Sequence, residues 1–375
     1  MGYRHDSGKA VRGVTSGGYD YVLWERDVTR IHDNYLDCTF YMYADVVAAK
    51  EGSLYGGTGF FVGVASRHSD RVHLYAVTNR HLIDGKNLAL RVNTKSGTHE
   101  AIPTSDANWI RHPSEDVAVM PVLDLDAQFR WHFVDTREFV TRELSAKLGI
   151  GPGDETYMVG RLTKASGRQR NTPVVRFGNI AMVSSLDEKI AHPKYGAQES
   201  YLVECRSLSG FSGSPVFVIS SSPLWLDEIF KLVLKDRYVS TTSLPILRIP
   251  GRIAGPFIAG QCGPFFLGID WGHVPLWKPI FEQDQLTPAT DNRQFEANTG
   301  IAAVTPAWCI LDLLEREDFV KNRKEDDDKY SKELESAVVL DSNEPKPDEV
   351  FTADDFMDAL KKASRKLSDE EKSET

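Results

Sequence analysis

Apolar and polar residues alternate along most of the chain, in short runs that end at turn residues. Runs such as "VHLYAVT" and "DVAVMPV" are separated by clusters of Gly, Asp, Asn and Ser. Period-two alternation over such short lengths predicts β-strands. Many short strands at close spacing predict an all-β sandwich or barrel, and they argue against a fold in which strands and helices alternate.

Segments with helical spacing interrupt or follow this strand pattern. Leu224–Asp236 has its apolar residues at helical intervals and predicts a helix inside an insertion of residues 221–265. Trp308–Asn322 follows a strand that Pro306 ends, and it predicts an amphipathic C-terminal helix. Thr352–Leu367 starts with an N-cap and acidic residues and ends with basic ones, which predicts a further short helix.

Composition divides the chain of 375 residues into segments. Residues 1–20 are rich in Gly and Ser, so we expect the first segment, residues 1–29, to be flexible. Residues 30–320 carry the strand pattern and are long enough for a full core. Residues 321–350 are charged, contain proline and have few apolar positions, which is typical of an acidic linker. The short helix lies in the last segment, residues 351–375.

Charge and cysteine content restrict the classes of partner. The net charge is −10, and −6 of it lies in residues 321–375, so broad binding to nucleic-acid phosphates is not expected. No run approaches the length of a transmembrane helix, and the first residues do not resemble a secretory signal, so no membrane partner is expected. Widely spaced cysteines in such a chain predict free thiols and a cytoplasmic protein. They are Cys38, Cys205, Cys262 and Cys309.

Ser212 lies between two glycines in "GFSGSP", directly before a strand. Glycines on both sides let the backbone turn sharply, expose the hydroxyl and direct neighbouring N–H groups toward one point, as a serine nucleophile requires. The same residues are also common in an ordinary Gly/Ser-rich hairpin loop. This stretch alone leaves both interpretations open.

A serine nucleophile needs a base and a carboxylate that orients the base. His81 follows the apolar strand "LYAVT" and lies where that strand exits, and Asp116 comes directly before another strand. Glu115, His112 and Asp124 are nearby alternatives. The other histidines of the strand region show no paired metal spacing, so we interpret them as surface or core residues and expect no metal or other cofactor. They are His68, His73, His99, His132, His192 and His273.

The motifs "GTGFFV", "TNRHL", "EDVAV" and "GFSGSP" follow one another in the chain. In this order they resemble the trypsin-like serine peptidases of the chymotrypsin fold, in particular their disulfide-free bacterial branch. The resemblance covers about residues 30–320. It implies an all-β fold of two six-stranded antiparallel β-barrels, over about residues 30–145 and 146–320, with the helical insertion and the C-terminal helix added.

The resemblance also implies a serine endopeptidase and assigns roles to its residues. Ser212 is the expected nucleophile, His81 the general base and Asp116 the residue that orients the base. The N–H groups of Gly210 and Ser212 are expected to form the oxyanion hole. Phe211 departs from the Asp or Asn of many relatives, so it is either a packed aromatic residue or the sign of an altered oxyanion loop.

Specificity and regulation stay open at this stage. Arg206 lies six residues before Ser212, where the relatives that the chain resembles often place the residue at the base of the primary pocket. A cation there would favour acidic or polar side chains in the substrate, whereas Asp270 in "GIDWG" would favour basic ones. Alternatively, both face solvent or pair with each other. A catalytically silent or gated protein-binding module on the same fold is the second hypothesis for function. The expected partners are a protein or peptide substrate and a regulatory protein that docks on the C-terminal helix.

Overall fold

The computed structural model describes most of the strand-rich region of the chain. The described residues are 31–53, 56–68, 71–86, 88–123, 125–220, 262–279 and 294–342, with isolated strand pairs at 10–12 and 22–24 and at 248–249 and 252–253. The chain divides into two compact units, Met1–Arg323 and Lys324–Thr375. The helices predicted over 224–236 and 352–367 lie outside the described residues, as does Asp124.

The first large sheet is formed by residues 39–135. A separate pair of strands, β1 (Ala10–Arg12) and β2 (Val22–Trp24), precedes this sheet and lies within the segment expected to be flexible. The strands of the large sheet follow this pair. They are β3 (Thr39–Tyr43), β4 (Thr58–Ala65), β5 (Val72–Thr78), β6 (Leu88–Asn93), β7 (His99–Thr104), β8 (Ile110–Arg111), β9 (Ala118–Val122) and β10 (Val134–Asp135). The antiparallel order is β7-β6-β3-β4-β5-β9-β8, and β10 pairs in parallel with β4. Six longer strands therefore form this half, and two very short strands extend it.

The second half is a closed six-stranded barrel. The remaining strands are β11 (Glu155–Gly160), β12 (Val174–Met182), β13 (Ile190–His192), β14 (Gly196–Gln198), β15 (Tyr201–Glu204), β16 (Pro215–Ser220), β17 (Arg248–Ile249), β18 (Arg252–Ile253), β19 (Cys262–Pro279) and β20 (Gln294–Pro306). The barrel closes in the order β11-β12-β15-β20-β19-β16, and β13 and β14 form a separate hairpin. The predicted class, an all-β fold of the chymotrypsin-like double-barrel type, is confirmed.

The two halves share a hydrophobic core. Phe60 of the first sheet packs against Phe266 of the barrel with ring centroids 5.2 Å apart, and Phe139, which precedes the barrel, lies 4.6 Å from the same ring. All three rings are buried. Burying one such side chain contributes about 1.5–3 kcal/mol, so this contact holds the halves together as one folding unit. Separate apolar clusters fill the inside of each half.

Short helices connect the strands, and two helices follow the barrel. They are α1 (Asp33–Asp37), α2 (Val46–Glu51), α3 (Arg80–Ile83), α4 (Arg142–Leu148), α5 (Ala307–Leu314) and α6 (Glu317–Ser342). The single helix predicted over 308–322 is wrong in its continuity, because α5 ends at Leu314 and α6 begins at Glu317. Helix α5 is buried along most of its length, and its apolar residues join the core clusters.

The acidic linker predicted over residues 321–350 is wrong as far as Ser342, because α6 covers this part. Glu and Lys are good helix formers, and pairs four residues apart support a helix in water. Lys329 and Glu333 form such a pair at 4.0 Å. The composition therefore indicated a solvated segment correctly but missed its helical order. Among the helices that the structure describes, none combines the length and the apolar character needed to cross a membrane.

Candidate active site

His81 lies in the short helix α3, directly after strand β5 ends. The turn between them is held by Asn79, whose buried side-chain amide donates to the carbonyl oxygen of Asp116 at 2.9 Å. Thr78, the last residue of the strand, donates its hydroxyl to the carbonyl oxygen of Thr58 at 2.8 Å. These bonds fix the exit of the strand, and the imidazole is left partly exposed, with 19% of its side-chain surface open to solvent.

Asp116 binds His81 through both carboxylate oxygens. Oδ1 accepts the backbone N–H of His81 at 2.8 Å, and Oδ2 lies 2.6 Å from its Nδ1. The Asp116 carboxylate is completely buried, and burial alone would raise its pKa. Hydrogen bonds from His192 and His81 outweigh this effect and lower the pKa of Asp116 to about 2. The site therefore keeps a buried carboxylate ionised beside an imidazole at neutral pH.

A hairpin from the second half of the chain reaches Asp116 as well. The backbone N–H of Asp116 donates to Oε1 of Gln198 at 2.7 Å, and Nε2 of His192 lies 3.3 Å from its Oδ2. Sequence reasoning grouped His192 with surface or core residues and did not consider Gln198. The hairpin lies more than 70 residues beyond Asp116 in the chain, and its short strands carry no motif that would have signalled this contact.

The neighbouring alternatives have other partners. Glu115 is buried and accepts the backbone N–H of Glu199 at 3.0 Å, and it pairs with Lys189 at 3.2 Å. His112 accepts the N–H of Glu115 on its Nδ1 at 2.9 Å. The structure therefore brings His81 together with Asp116, while Glu115 and His112 stabilise the loop that carries the aspartate.

The loop that carries Ser212 is anchored to both halves. The backbone N–H of Thr58 donates to the carbonyl oxygen of Ser212 at 2.8 Å, and the N–H of Gly213 donates to the carbonyl oxygen of Asp270 at 2.8 Å. Gly213 has φ +87°, and a Cβ there would lie 1.9 Å from the carbonyl oxygen of Thr58. This glycine is therefore required by the close approach of the first sheet behind the serine.

Two N–H groups at the serine have no hydrogen-bond acceptor among the residues that the structure describes. Phe211 and Gly213 donate their N–H groups within the protein, to Leu208 and Asp270. By contrast, no intramolecular acceptor is found for the N–H groups of Gly210 and Ser212 among the described residues. The backbone amides of Gly210 and Ser212 can thus bind a negatively charged oxygen, as an oxyanion hole requires.

In each of the two peptide groups that carry these N–H groups, the carbonyl oxygen accepts a hydrogen bond from the protein. Thr163 donates its hydroxyl to the carbonyl oxygen of Ser209 at 2.6 Å, and the N–H of Ser214 donates to the carbonyl oxygen of Phe211 at 2.8 Å. In a trans peptide the N–H points opposite to the C=O, so these bonds direct the N–H groups of the next residues away from the protein. Gly210 has φ +100°, a conformation that glycine adopts without strain.

The Ser212 hydroxyl donates to the carbonyl oxygen of Trp271 at 3.4 Å. No hydrogen bond joins it to His81 in the part of the chain that the structure describes. The His192 ring lies near both residues' surroundings, with its centroid 4.6 Å from the Trp271 ring and 6.0 Å from the His81 ring. Hydrogen bonds in ligand-free catalytic sites are often long and tighten only with substrate.

The remaining predicted positions have different surroundings. Phe211 is completely buried in the barrel, as a packed aromatic residue. Arg206 is exposed, and within the described ranges no ion pair joins it to Asp270. Asp270 is completely buried and accepts the Ser207 hydroxyl at 2.8 Å. The alternative that its carboxylate faces solvent or pairs with Arg206 is therefore wrong. Burial raises the pKa of Asp270 to about 7.

His81, Asp116 and His192 form the one close group of three possible metal ligands among the described residues. Two ligands of one tetrahedral zinc ion lie about 3.3 Å apart, given bond lengths of about 2.0–2.1 Å. The 2.6 Å between His81 Nδ1 and Asp116 Oδ2 is shorter and has the length of a hydrogen bond. The geometry of the group is therefore that of hydrogen bonding around one carboxylate.

Comparison with known proteins gives a match to one family model. A family model described as a trypsin-like peptidase domain matches residues 57–221, which contain His81, Asp116 and Ser212. No curated protein matches significantly.

Several solved protease structures are similar to this chain at low identity. The active form of the Rv3671c protease from M. tuberculosis is 14% identical, with 75% of this chain and 80% of that chain covered and a TM-score of 0.33. The tobacco vein mottling virus protease is 12% identical, with 78% and 89% covered and a TM-score of 0.34. Deg5 is 14% identical, with 49% and 75% covered and a TM-score of 0.32.

Proposed function

We propose that this protein, whose residues 57–221 match the model of a trypsin-like peptidase domain, is a serine endopeptidase that hydrolyses peptide bonds through an acyl-enzyme. The observation that carries the proposal is the pairing of a buried, ionised Asp116 with His81 at 2.6 Å. A carboxylate in this position orients an imidazole and stabilises its charged form, which is the role it has in serine peptidases. The free amides of Gly210 and Ser212 support the same function.

In the first half of the reaction, Ser212 Oγ attacks the carbonyl carbon of the substrate, and its proton passes to Nε2 of His81. The carbonyl oxygen becomes negatively charged and is bound by the N–H groups of Gly210 and Ser212. The C–N bond then breaks, the leaving amine takes the proton from His81, and the acyl group stays on Ser212 as an ester.

In the second half, a water molecule replaces the amine. His81 accepts a proton from this water as it attacks the ester, and then returns the proton to Ser212 Oγ as the C–O bond breaks. Asp116 stays ionised throughout, because its pKa of about 2 is far below neutral pH. Its negative charge stabilises the imidazolium that forms in both halves of the reaction.

A second candidate is a gated or catalytically silent binding module on the same fold. The bond from the Ser212 hydroxyl to Trp271 favours it, because the hydroxyl is not hydrogen-bonded to His81 in this state. A rotation of one side-chain torsion would release this bond. We therefore regard the gated state as the resting form of the enzyme, in which substrate draws the hydroxyl toward the base.

A fluorophosphonate probe tests the proposal directly, because it reacts with an activated serine and does not require the natural substrate. We expect labelling of the full chain at Ser212, and none in Ser212→Ala. A chain that is folded but not labelled would support the binding module instead. Cleavage of a peptide library would then identify the preferred residues around the cut, including any preference for acidic or polar residues that Arg206 imposes.

We further propose that the substrate is a protein or peptide in the cytoplasm. The observation that supports this setting is that Cys38, Cys205 and Cys309 are buried and free rather than disulfide-bonded. The sequence pattern of residues 352–367 supports a regulatory protein as a partner, because its few apolar residues are too few to form a core alone. Neither nucleic acid nor a membrane is part of this proposal.

A further inference from the structure

We propose that His192 is a positioning residue for Asp116: as a neutral imidazole it donates a hydrogen bond from Nε2 to the carboxylate and holds it in line with His81. This inference rests on the proposed peptidase function for its kinetic consequences. The hydrogen bond itself does not depend on that function and can be measured separately.

The backbone around His192 determines which nitrogen carries the proton. Nδ1 accepts the N–H of Lys194 at 3.0 Å and the N–H of Tyr195 at 3.2 Å. A nitrogen that accepts hydrogen bonds carries no proton, so in a neutral imidazole the proton must lie on Nε2. Nε2 is the atom that faces Asp116 Oδ2 at 3.3 Å. The tautomer of His192 is therefore the one that donates to the carboxylate.

The ring of His192 has little freedom to leave this position. It stacks on Tyr195 with centroids 5.0 Å apart and an interplanar angle of 19°, and it meets the Trp271 ring edge-on at 4.6 Å. Only 4% of its side-chain surface is exposed. The Tyr195 hydroxyl donates to Asp84 at 2.6 Å, and the guanidinium of Arg80 lies 4.7 Å from the centre of the Tyr195 ring. These contacts connect the β13–β14 hairpin to helix α3, which carries His81.

A protonated His192 would lose this arrangement. Protonation would place a hydrogen on Nδ1, against the two backbone N–H groups that point at it. The titratable groups that face the ring are Asp116 and His81, with the Tyr195 hydroxyl and Asp84 behind the stack. The neutral form is the one that satisfies every hydrogen bond, so His192 acts as a fixed donor rather than as a second base.

The contact also joins the two halves of the site. Asp116 and His81 belong to the first half of the chain, whereas His192 lies in β13 and touches Trp271 of β19, whose carbonyl oxygen accepts the Ser212 hydroxyl. His192 therefore connects the carboxylate that orients the base to the strand that holds the nucleophile. Loss of its Nε2–H should affect the alignment of Asp116 and not the binding of substrate.

A pair of substitutions separates the hydrogen bond from the packing. His192→Phe keeps an aromatic ring for Tyr195 and Trp271 but removes the donor, whereas His192→Gln keeps an N–H near the position of Nε2. We expect His192→Phe to lower kcat roughly 10- to 100-fold with little change in KM, as for a lost hydrogen bond to a charged group. His192→Gln should recover most of the loss.

The pH profile of kcat/KM supplies a readout that packing would not move. In His192→Phe, Asp116 loses one hydrogen-bond donor, so its negative charge is less neutralised. That charge stabilises the protonated form of His81 to higher pH. The acid limb of the kcat/KM profile of His192→Phe should therefore move to higher pH. Equal kinetics and equal profiles for wild type and His192→Phe would overturn the proposal. So would a His192→Gln variant that is as impaired as His192→Phe with an unchanged profile.

NMR of the unmodified chain tests the hydrogen bond without any substitution or catalysis. Imidazole ¹⁵N shifts at neutral pH should show His192 as the Nε2–H tautomer. An Nδ1–H tautomer or an imidazolium would overturn the proposal even if both variants failed to fold. If the spectrum shows the expected tautomer but fluorophosphonate does not label Ser212, the hydrogen bond stands and the peptidase function fails.

Discussion

The hydroxyl of Thr163 donates to the carbonyl oxygen of Ser209 at 2.6 Å, and this bond sets the direction of the N–H group of Gly210. We expect Thr163→Val to let this peptide turn and to weaken one of the two oxyanion donors. Losing such a donor lowers kcat by about 10²–10³-fold, so a loss of roughly 10-fold or more is expected when the donor is only misdirected.

Thr163→Ser is the matched control, because it keeps the hydroxyl and should keep most of the activity. The measurement is kcat on a peptide substrate, together with the rate of fluorophosphonate labelling. Equal rates for Thr163→Val and wild type would show that the Ser209 carbonyl does not need this bond.

The pair of His81 and Asp116 predicts distinct effects of their substitutions. Asp116→Asn keeps the size of the side chain but removes the charge that faces His81, so we expect kcat to fall by about 10⁴-fold. Ser212→Ala and His81→Ala should each abolish measurable cleavage. Circular dichroism melting checks that Ser212→Ala stays folded, and full activity in that variant would exclude the acyl-enzyme.

The buried carboxyl of Asp270 predicts how stability depends on pH. Its pKa is about 7 in the folded protein against an ordinary 3.8, so below pH 3.8 both states are protonated. Between pH 3.8 and 7 the unfolded chain releases the proton while the folded chain keeps it. The free energy of unfolding therefore falls as pH rises through this window, and is constant above it.

Asp270→Asn removes this dependence. Near pH 4 the variant and the wild type should have the same free energy of unfolding. Above pH 7 the free energy of unfolding of the variant should be higher by up to ~4 kcal/mol, which corresponds to the difference between the two pKa values. Urea unfolding of both proteins at pH 4 and pH 8 measures it. A variant that is less stable than wild type at pH 8 would mean that the ionised carboxylate is favoured in the folded state.

Chelators and reducing agents should leave cleavage unchanged. The close ligand group at the site has hydrogen-bond geometry around Asp116, and Cys38, Cys205 and Cys309 are free. Assays in EDTA and in dithiothreitol, each compared with buffer alone, measure this. Activity that is lost in EDTA and restored by added metal would require a different assignment of the site.

Truncation after Ser342, where α6 ends, tests the proposed partner segment. Peptide cleavage should be unchanged, while recovery of a partner protein or cleavage of the physiological substrate should be lost. Increased peptide cleavage would indicate instead that the segment restrains the enzyme. If stability, peptide cleavage, oligomeric state and partner recovery are all unchanged, residues 343–375 have no role in this function.

The strands could be predicted from sequence because their signals are local, and the candidate site residues were proposed from signals of the same local kind. Asp116 lies beside a strand whose alternation is evident in the sequence, and Ser212 lies between glycines that the turn requires. The contacts made by Gln198, His192 and Thr163 could not be predicted in the same way. Each depends on segments that are far apart in sequence and meet only in the folded chain, so no short window contains both partners.

Local composition gave a wrong prediction where high charge indicates a linker but the same residues have a high helix propensity. Residues 321–342 have few apolar positions, which is typical of a linker, yet their Glu and Lys content stabilises helix α6. Asp270 misled for the opposite reason. A carboxylate in a substrate-lining strand suggests contact with substrate, but residues 266–271 of β19 are all buried, and the Ser207 hydroxyl binds the Asp270 carboxylate.

The shared core of Phe60 and Phe266 has a consequence for the protein as it is synthesised. A nascent chain that has left the ribosome as far as residue 145 contains His81 and Asp116, the proposed base and its aspartate, but neither Ser212 nor the hairpin that contacts Asp116. Strands β19 and β20 are translated later still, and the barrel cannot close without them. Incomplete chains should therefore be unable to cleave their neighbours, and proteolytic capacity should arise only after the last strand has been translated and docked.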